Sequence, residues 1–421
     1  MFGGIFTARV LLPQGKGELT AVILWPSLLA AIGNLGIVDA VTYYAAESDE
    51  NSLKRIFASG LILLLGLAVA LVGLGYFILP NFLSHYGPDV IITAQLYLAF
   101  IPTNFATLFL MAFLAGRMHL LEFNILRTLV HLLAVTGIVS TALLGWASVR
   151  VFTFVNLTAN ILTLLVAFWL VLRQRWCCWL PNGFLMHQLL NYGWKTQIGS
   201  IASLLNLRLD QMLISVLLRP AALGLYAVAV MFSAGVVFGA NTIVVVAFPQ
   251  ISNLRSPDEK YLAWKRFLLL STGLALITSF SLWWLTPWLL YIFFGSAFMP
   301  ATLTVRWLLV ASIPLSLNVI LTAGYKAFNQ PLVPSQAELI GMGVTSVALF
   351  FLLPRYDILG AAWASLLAYS ASCVYMLSKL SRSLTIRPLD LIYPTLDDWK
   401  YVERVLYTVA KRVGLVRPFA G

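Results

Sequence analysis

The chain has 421 residues, 60% of them hydrophobic and only 10% charged, with a formal net charge of +11 and a mean hydropathy of +0.89. About a quarter of a typical soluble domain is charged, so this composition excludes one and describes a polytopic membrane protein. Three cysteines cannot build a disulfide framework, and the basic balance needs no nucleic acid, because anionic inner-leaflet lipids attract it equally well.

In chain order, apolar runs of roughly 20 residues or more, the length that crosses the hydrocarbon core, cover 20–46, 56–79, 91–114, 123–144 and 151–172. The second half continues with 196–218, 223–248, 267–294, 302–323, 335–353 and 358–380. An apolar piece at 1–12 precedes them, too short to cross and without the charged start and cleavage site of a signal peptide. An internal repeat accounts for it: Leu11-Leu12-Pro13-x-x-x-Gly17 superposes on Leu218-Arg219-Pro220-x-x-x-Gly224 at an offset of 207. The expected fold is all-α, a polytopic membrane protein of about twelve transmembrane helices, the first truncated, in two six-helix lobes. The expected parts are an N-lobe at 1–175, a cytoplasmic linker at 176–195, a C-lobe at 196–380 and a basic cytoplasmic tail at 381–421. The same offset would start the first helix before Met1, which points to a misassigned start codon or to a shortened helix.

Orientation follows from the cations. With the N-terminus inside, the inner loops and tail hold twenty Lys and Arg, and the outer side holds Arg9, Lys16, Arg150, Arg219 and Arg355. That asymmetry places both termini in the cytoplasm. Tryptophans near span ends, Trp146, Trp194 and Trp288 among them, act as interfacial anchors. The pair Cys177-Cys178 between Trp176 and Trp179 lacks the spacing of a zinc or redox site. In the tail, Pro394-Thr395-x-x-Asp398 reads as a capping box, and Trp399, Val402, Leu406, Val409 and Val413 then form one apolar stripe of a helix lying on the inner membrane surface. Outward loops are too short for a catalytic domain, and no metalloprotease, nucleophile-elbow or phosphate-loop motif occurs, so the chain is not read as an enzyme.

The sharpest signal lies in the span at 196–218. Thr196, Gly199, Ser203, Asn206 and Asp210 recur at helical spacing and make one polar face. Such a face cannot look at lipid without leaving polar groups unpaired, so it lines a wet cavity or packs on another helix. Arg208 stands two residues from Asp210, on nearly the opposite side, which argues against a salt bridge within the helix. Other ionisable residues in spans are Asp39, Arg127, His131, Glu338 and Arg306. Arg127 is read as snorkelling to the interface and His131 as a packing residue.

Arg208-Leu209-Asp210 in a span, followed by Leu217-Leu218-Arg219-Pro220-Ala221-Ala222-Leu223-Gly224-Leu225-Tyr226-Ala227, resembles the second-lobe signature of the oligosaccharide flippases. These belong to the multidrug/oligosaccharidyl-lipid/polysaccharide exporter superfamily. The resemblance extends through Ala247-Phe248-Pro249-Gln250, Phe294-Gly295-Ser296-Ala297-Phe298 and Leu353-Pro354-Arg355-Tyr356-Asp357-Ile358, and includes Ala8-Arg9 and Leu35-Gly36 in the first lobe. The chain departs from the pattern in its short first helix, in Leu19 where an aromatic is usual, and in Asp357 where a glycine follows the tyrosine.

The resemblance implies two bundles related by a pseudo-twofold, rocking around a central cavity. It implies a bacterial inner-membrane flippase that moves a polyprenyl-diphosphate-linked oligosaccharide from the inner to the outer leaflet for surface polysaccharide synthesis, in contact with membrane lipids and with polymerase or export proteins. Within it, Arg208 with Arg306 would hold the diphosphate. Asp210, Asp39 and Glu338 would contact sugar hydroxyls or carry a coupling H⁺ or Na⁺, and Asn206 is a further substrate-binding candidate. No metal or other cofactor is expected. Two alternatives stand beside it: a cation-coupled multidrug antiporter of the same superfamily, and a non-transporting scaffold of a polysaccharide assembly complex.

Overall fold

Proline lacks a backbone donor and pushes its predecessor out of the α region. In the computed structural model, which describes residues 2–174 and 181–383, Leu12 takes φ 59° and ψ 175° and breaks α1 (Phe2–Gly33) into two helical segments. Across the break Lys16 Nζ donates to Thr7 Oγ1 at 3.1 Å. Nine residues of straight helix would hold those positions about 13 Å apart, so the chain turns a corner at Leu12. Arg9 and Lys16, expected in an outer loop, therefore lie within helix on either side of that corner.

The expected span 20–46 is not one helix. Asn34 Oδ1 accepts from Gly36 N at 2.7 Å, Leu35 and Gly36 take φ of 48° and 69°, and the chain restarts as α2 (Ile37–Glu47). The local Asn-x-Gly turn chemistry overrides the apolar run. Asp39 consequently sits in the first turn of α2, where a carboxylate suits the helix dipole, and not late in an inward-running span.

The remaining helices are α3 (Glu50–Phe82), α4 (Pro88–Tyr97), α5 (Phe100–Gly116), α6 (Leu120–Leu143), α7 (Val149–Arg173), α8 (Gly183–Leu217), α9 (Pro220–Asn253), α10 (Pro257–Leu289), α11 (Thr302–Ala327) and α12 (Leu332–Ser383). Among the described residues there is no strand. Nine helical stretches among the described residues are long and apolar enough to cross a membrane, ten with α8, whose parts Gly183–Gln197 and Ile201–Leu217 meet at 58°. As a single rod the 52 residues of α12 would measure about 78 Å, over twice the hydrocarbon thickness. Instead Asp357, at φ 56° and ψ −139°, folds the helix back. Ser372 Oγ donates to Ala337 O at 2.8 Å and Tyr375 OH to Gln336 Oε1 at 2.5 Å, so the two arms run antiparallel and supply both expected spans.

Packing divides the chain into two units, residues 1–228 with 289–301 and residues 229–288 with 302–421. Packing thus draws its boundary inside α9, whereas the sequence repeat draws one near 196. In the first unit α5 is the central helix, packed on α2, α3 and α7, and the buried rings of Phe57, Phe109 and Phe113 meet with centroids 5.0 to 5.3 Å apart. Such edge-to-face triads add to plain burial. In the second unit the buried Trp264 donates Nε1 to Ile320 O at 3.2 Å, and its indole occupies the space a Cβ on Gly324 would need. Tyr325 OH donates to Met376 O at 2.5 Å, tying α11 to the second arm of α12. The tail helix and the Trp176–Trp179 segment lie outside the described residues.

Candidate functional site

The two proline-to-glycine repeats meet face to face in the first unit. A Cβ on Gly17 would overlap Pro220 O and a Cβ on Gly224 would overlap Pro13 O. Each would also lie 2.9 Å from the backbone nitrogen of the other glycine. That reciprocity is a local pseudo-twofold, and it requires that both residues lack a side chain. The repeat read from sequence is therefore a physical crossing of α1 and α9.

Beside this crossing α8 presents its polar residues. Asn206, Asp210 and Gln211 are buried, at 5%, 4% and 3% exposure, in a helix that must not leave such groups in bare hydrocarbon. Asp210 Oδ2 accepts from Tyr226 OH at 2.5 Å, and Asp210 Oδ1 accepts from the backbone N–H of Gln211 at 2.6 Å. Tyr226 is itself fully buried, so the pair ties α8 to α9 through a short bond of the strong, carboxylate-accepting kind. Arg208 is exposed, and its Nη1 donates to Gln211 Oε1 at 3.1 Å. The same helix therefore buries a carboxyl group and displays a guanidinium. Further along α8, Ser215 Oγ accepts from Trp25 Nε1 at 3.2 Å in the buried contact with α1.

The repeat offset maps Asp210 onto Gly3 and Tyr226 onto Leu19. Gly3 offers no polar group, and the buried Leu19 packs with Ile138 and Phe152 in an apolar cluster. The polar pair thus belongs to the second repeat alone, and the first repeat fills the equivalent place with hydrocarbon.

The other predicted residues lie on other elements or are not buried with this cluster. Asp39 is exposed on α2 of the first unit. Arg306 and Glu338 belong to the second unit; Arg306 is partly buried, with Nε donating to Trp283 O at 3.4 Å and its guanidinium over the Trp283 ring at 5.4 Å. Glu338 is partly buried on the first arm of α12. Thr196 and Ser203 on the predicted stripe are exposed and partly buried respectively. His131, read as a packing residue, is exposed, as is Arg127 one turn before it. Sequence reasoning missed Tyr226 as the partner of Asp210, although both lie in the motif that carries the resemblance. It also missed Gln211, whose amide could not be placed without knowing that Arg208 points outward. Among the described residues no group of three or more His, Cys, Asp or Glu could hold a metal ion.

The sequence profile of the polysaccharide biosynthesis protein family matches residues 4–255, more than half of the chain. The chain belongs to that family. No protein of curated function matches it in sequence. Its fold is similar to that of a lipid II flippase MurJ in an inward closed conformation, at 16% identity and a TM-score of 0.76, over 92% of this chain and 86% of that one. It is also similar to an inward-facing multidrug resistance transporter of the MATE family, at 12% identity and a TM-score of 0.71, over 90% and 94% of the two chains. A transporter of the same superfamily from Pyrococcus furiosus, described as having a binding pocket of reversed polarity, matches at 14% identity and a TM-score of 0.57, over 90% and 96%. The chain thus combines membership of the polysaccharide biosynthesis protein family with the fold of these transporters. It is a multi-pass membrane protein.

Proposed function

We propose that the protein is a flippase that moves a polyprenyl-diphosphate-linked oligosaccharide from the inner to the outer leaflet of a bacterial cytoplasmic membrane by alternating access. The observation that carries this reading is the split chemistry of α8 in a polysaccharide-family transporter: a displayed Arg208 and a buried Asp210 held by Tyr226. Moving one unpaired hydroxyl into hydrocarbon costs about 4–8 kcal/mol, so a saccharide head needs a hydrogen-bonding route while its lipid tail stays in the bilayer. Arg208 is suited to the diphosphate, because a guanidinium is a planar multiple donor that stays charged and matches phosphate oxygens. Gln211 orients it without neutralising it. Asp210 has the Tyr226 hydroxyl as partner and serves to fix α8 against α9; it is also the carboxylate placed to take up a coupling proton or cation, with Asp39 and Glu338 as further acceptors. Asn206 and Arg306 complete the assigned residues, the first as a hydrogen-bonding contact and the second as an additional cation for phosphate.

Proteoliposomes test the proposal. A polyprenyl-diphosphate disaccharide carrying a dithionite-sensitive fluorophore is placed in both leaflets, and the fraction protected from external reductant is followed. Loss of protection dependent on the wild-type protein and abolished by Arg208→Ala is the expected result. Equal rates with and without protein would reject the flippase reading, and proton-driven extrusion of ethidium in its place would favour a multidrug antiporter.

A further inference from the structure

We propose that Tyr43, Tyr44 and Tyr192, rimmed by Asp39 and Glu47, form a carbohydrate-binding platform that receives the saccharide head of the cargo. The proposal rests on the flippase reading for its ligand, but it stands on a separate set of residues. Asp39, Tyr43 and Glu47 recur every four residues of α2 and so share one face, and all three are exposed. Tyr192 of α8 stacks on Tyr43, with centroids 4.8 Å apart and planes inclined by 15°. Tyr44 stands edge-on to both, at 5.2 Å from Tyr43 and 5.7 Å from Tyr192. Tyr43 OH donates to Glu47 Oε1 at 2.8 Å, which fixes the ring and one rim carboxylate together.

Backbone geometry holds the platform rigid. Next to Tyr192, Gly193 interlocks with Gly36 so closely that a Cβ on Gly193 would lie 2.6 Å from Leu35 O, and a Cβ on Gly36 would overlap Gly193 O. The two helices therefore present their tyrosines at a fixed spacing, which is what a binding surface needs to avoid ordering costs.

The chemistry fits a sugar. A pyranose offers a patch of C–H bonds on one face, which packs on the electron-rich face of an aromatic ring, and hydroxyls around its edge, which donate to carboxylates. An interfacial anchor accounts for one tyrosine, but it does not require three rings from two helices converging between two carboxylates. An organic cation would prefer several ring faces around it. Here Tyr192 covers one face of the Tyr43 ring, and the exposed Lys195, one turn beyond Tyr192, adds positive charge.

The test is saturation-transfer NMR on the full chain in phosphatidylcholine/phosphatidylglycerol nanodiscs, purified without sugar-headed detergents. The probes are the methyl glycosides of glucose, galactose, mannose and N-acetylglucosamine, with ethidium as the cationic probe. At least one glycoside is expected to receive saturation through its C–H face. Tyr43→Leu should weaken that signal about fivefold, the equivalent of roughly 1 kcal/mol. Tyr43→Phe should retain it, which separates ring stacking from misfolding, and Asp39→Asn should reduce it with the ring signals intact. No saturation of any glycoside, equal signals in wild type and Tyr43→Leu, or binding of ethidium alone would overturn the platform. Glycoside binding by a wild type that fails to flip lipid would instead overturn the flippase reading and leave the platform standing.

Discussion

Placing an alanine at Gly224 tests whether the crossing of the two repeats is as tight as it looks. The added Cβ would overlap Pro13 O and lie 2.9 Å from Gly17 N, and both are backbone atoms that cannot swing aside. Relief requires α1 and α9 to part by about 1 Å, which a close-packed interior resists. The movement would loosen the fully buried Leu223 and Tyr226. Overpacking of this kind costs about 1–3 kcal/mol, so a loss of about 2 kcal/mol is expected for Gly224→Ala, and a similar loss for Gly17→Ala. The reciprocal geometry makes a sharper demand on the double variant. One displacement clears both overlaps, so the double should lose only about 2–3 kcal/mol and fall short of additivity, whereas independent sites add within about 0.5 kcal/mol. Reversible SDS unfolding of the purified protein, followed by tryptophan fluorescence, measures all three. Single variants within error of wild type, or a strictly additive double, would refute the crossing.

Other outcomes follow from the same geometry. Tyr226→Phe removes the hydroxyl that Asp210 accepts from and should cost about 1.5–3 kcal/mol; the cost should shrink in an Asp210→Asn background, as a double-mutant cycle in the same unfolding assay would show. Asp357 occupies φ 56° and ψ −139°, a region only glycine enters freely. Relief of backbone strain against the entropy of a glycine should leave Asp357→Gly about 1 kcal/mol more stable, read as a higher thermal midpoint. Arg208 is exposed, so Arg208→Ala should change stability by less than about 0.5 kcal/mol. The same variant should slow lipid flipping about tenfold or more, with Arg208→Lys intermediate because an ammonium cannot make the forked contact.

The membrane class, the helical fold and the half helix before Pro13 were legible because hydropathy and proline act locally. The repeat was legible too, and its offset identified the two glycines that the structure brings into contact. What the sequence reading lost were breaks inside apolar runs. Asn34-Leu35-Gly36 carries turn chemistry, yet hydrophobic length alone spoke for one span, and Asp39 was misplaced as a result. Asp357 shows in the sequence only as a departure from the pattern the chain resembles, and its positive φ is a conformation that suits glycine. Arg208 and Asp210 were correctly assigned to opposite sides of one helix, because angular offset is a property of the helix. The partner of Asp210 was out of reach, since Tyr226 sits 16 residues away across a turn and nothing in periodicity says which hydroxyl folds onto which carboxylate. The tyrosine platform on α2 and α8 was invisible for the same reason: its rings are 149 residues apart in the chain.

The most direct test of the central claim is the leaflet distribution of polyprenyl-linked oligosaccharide in a deletion strain complemented with wild type, Arg208→Ala, Asp210→Asn or a chain truncated after Arg382. The account predicts accumulation on the cytoplasmic leaflet that wild type and the truncated chain relieve and the two point variants do not. Relief by both point variants but not by the truncated chain would contradict it and assign the protein a scaffolding role.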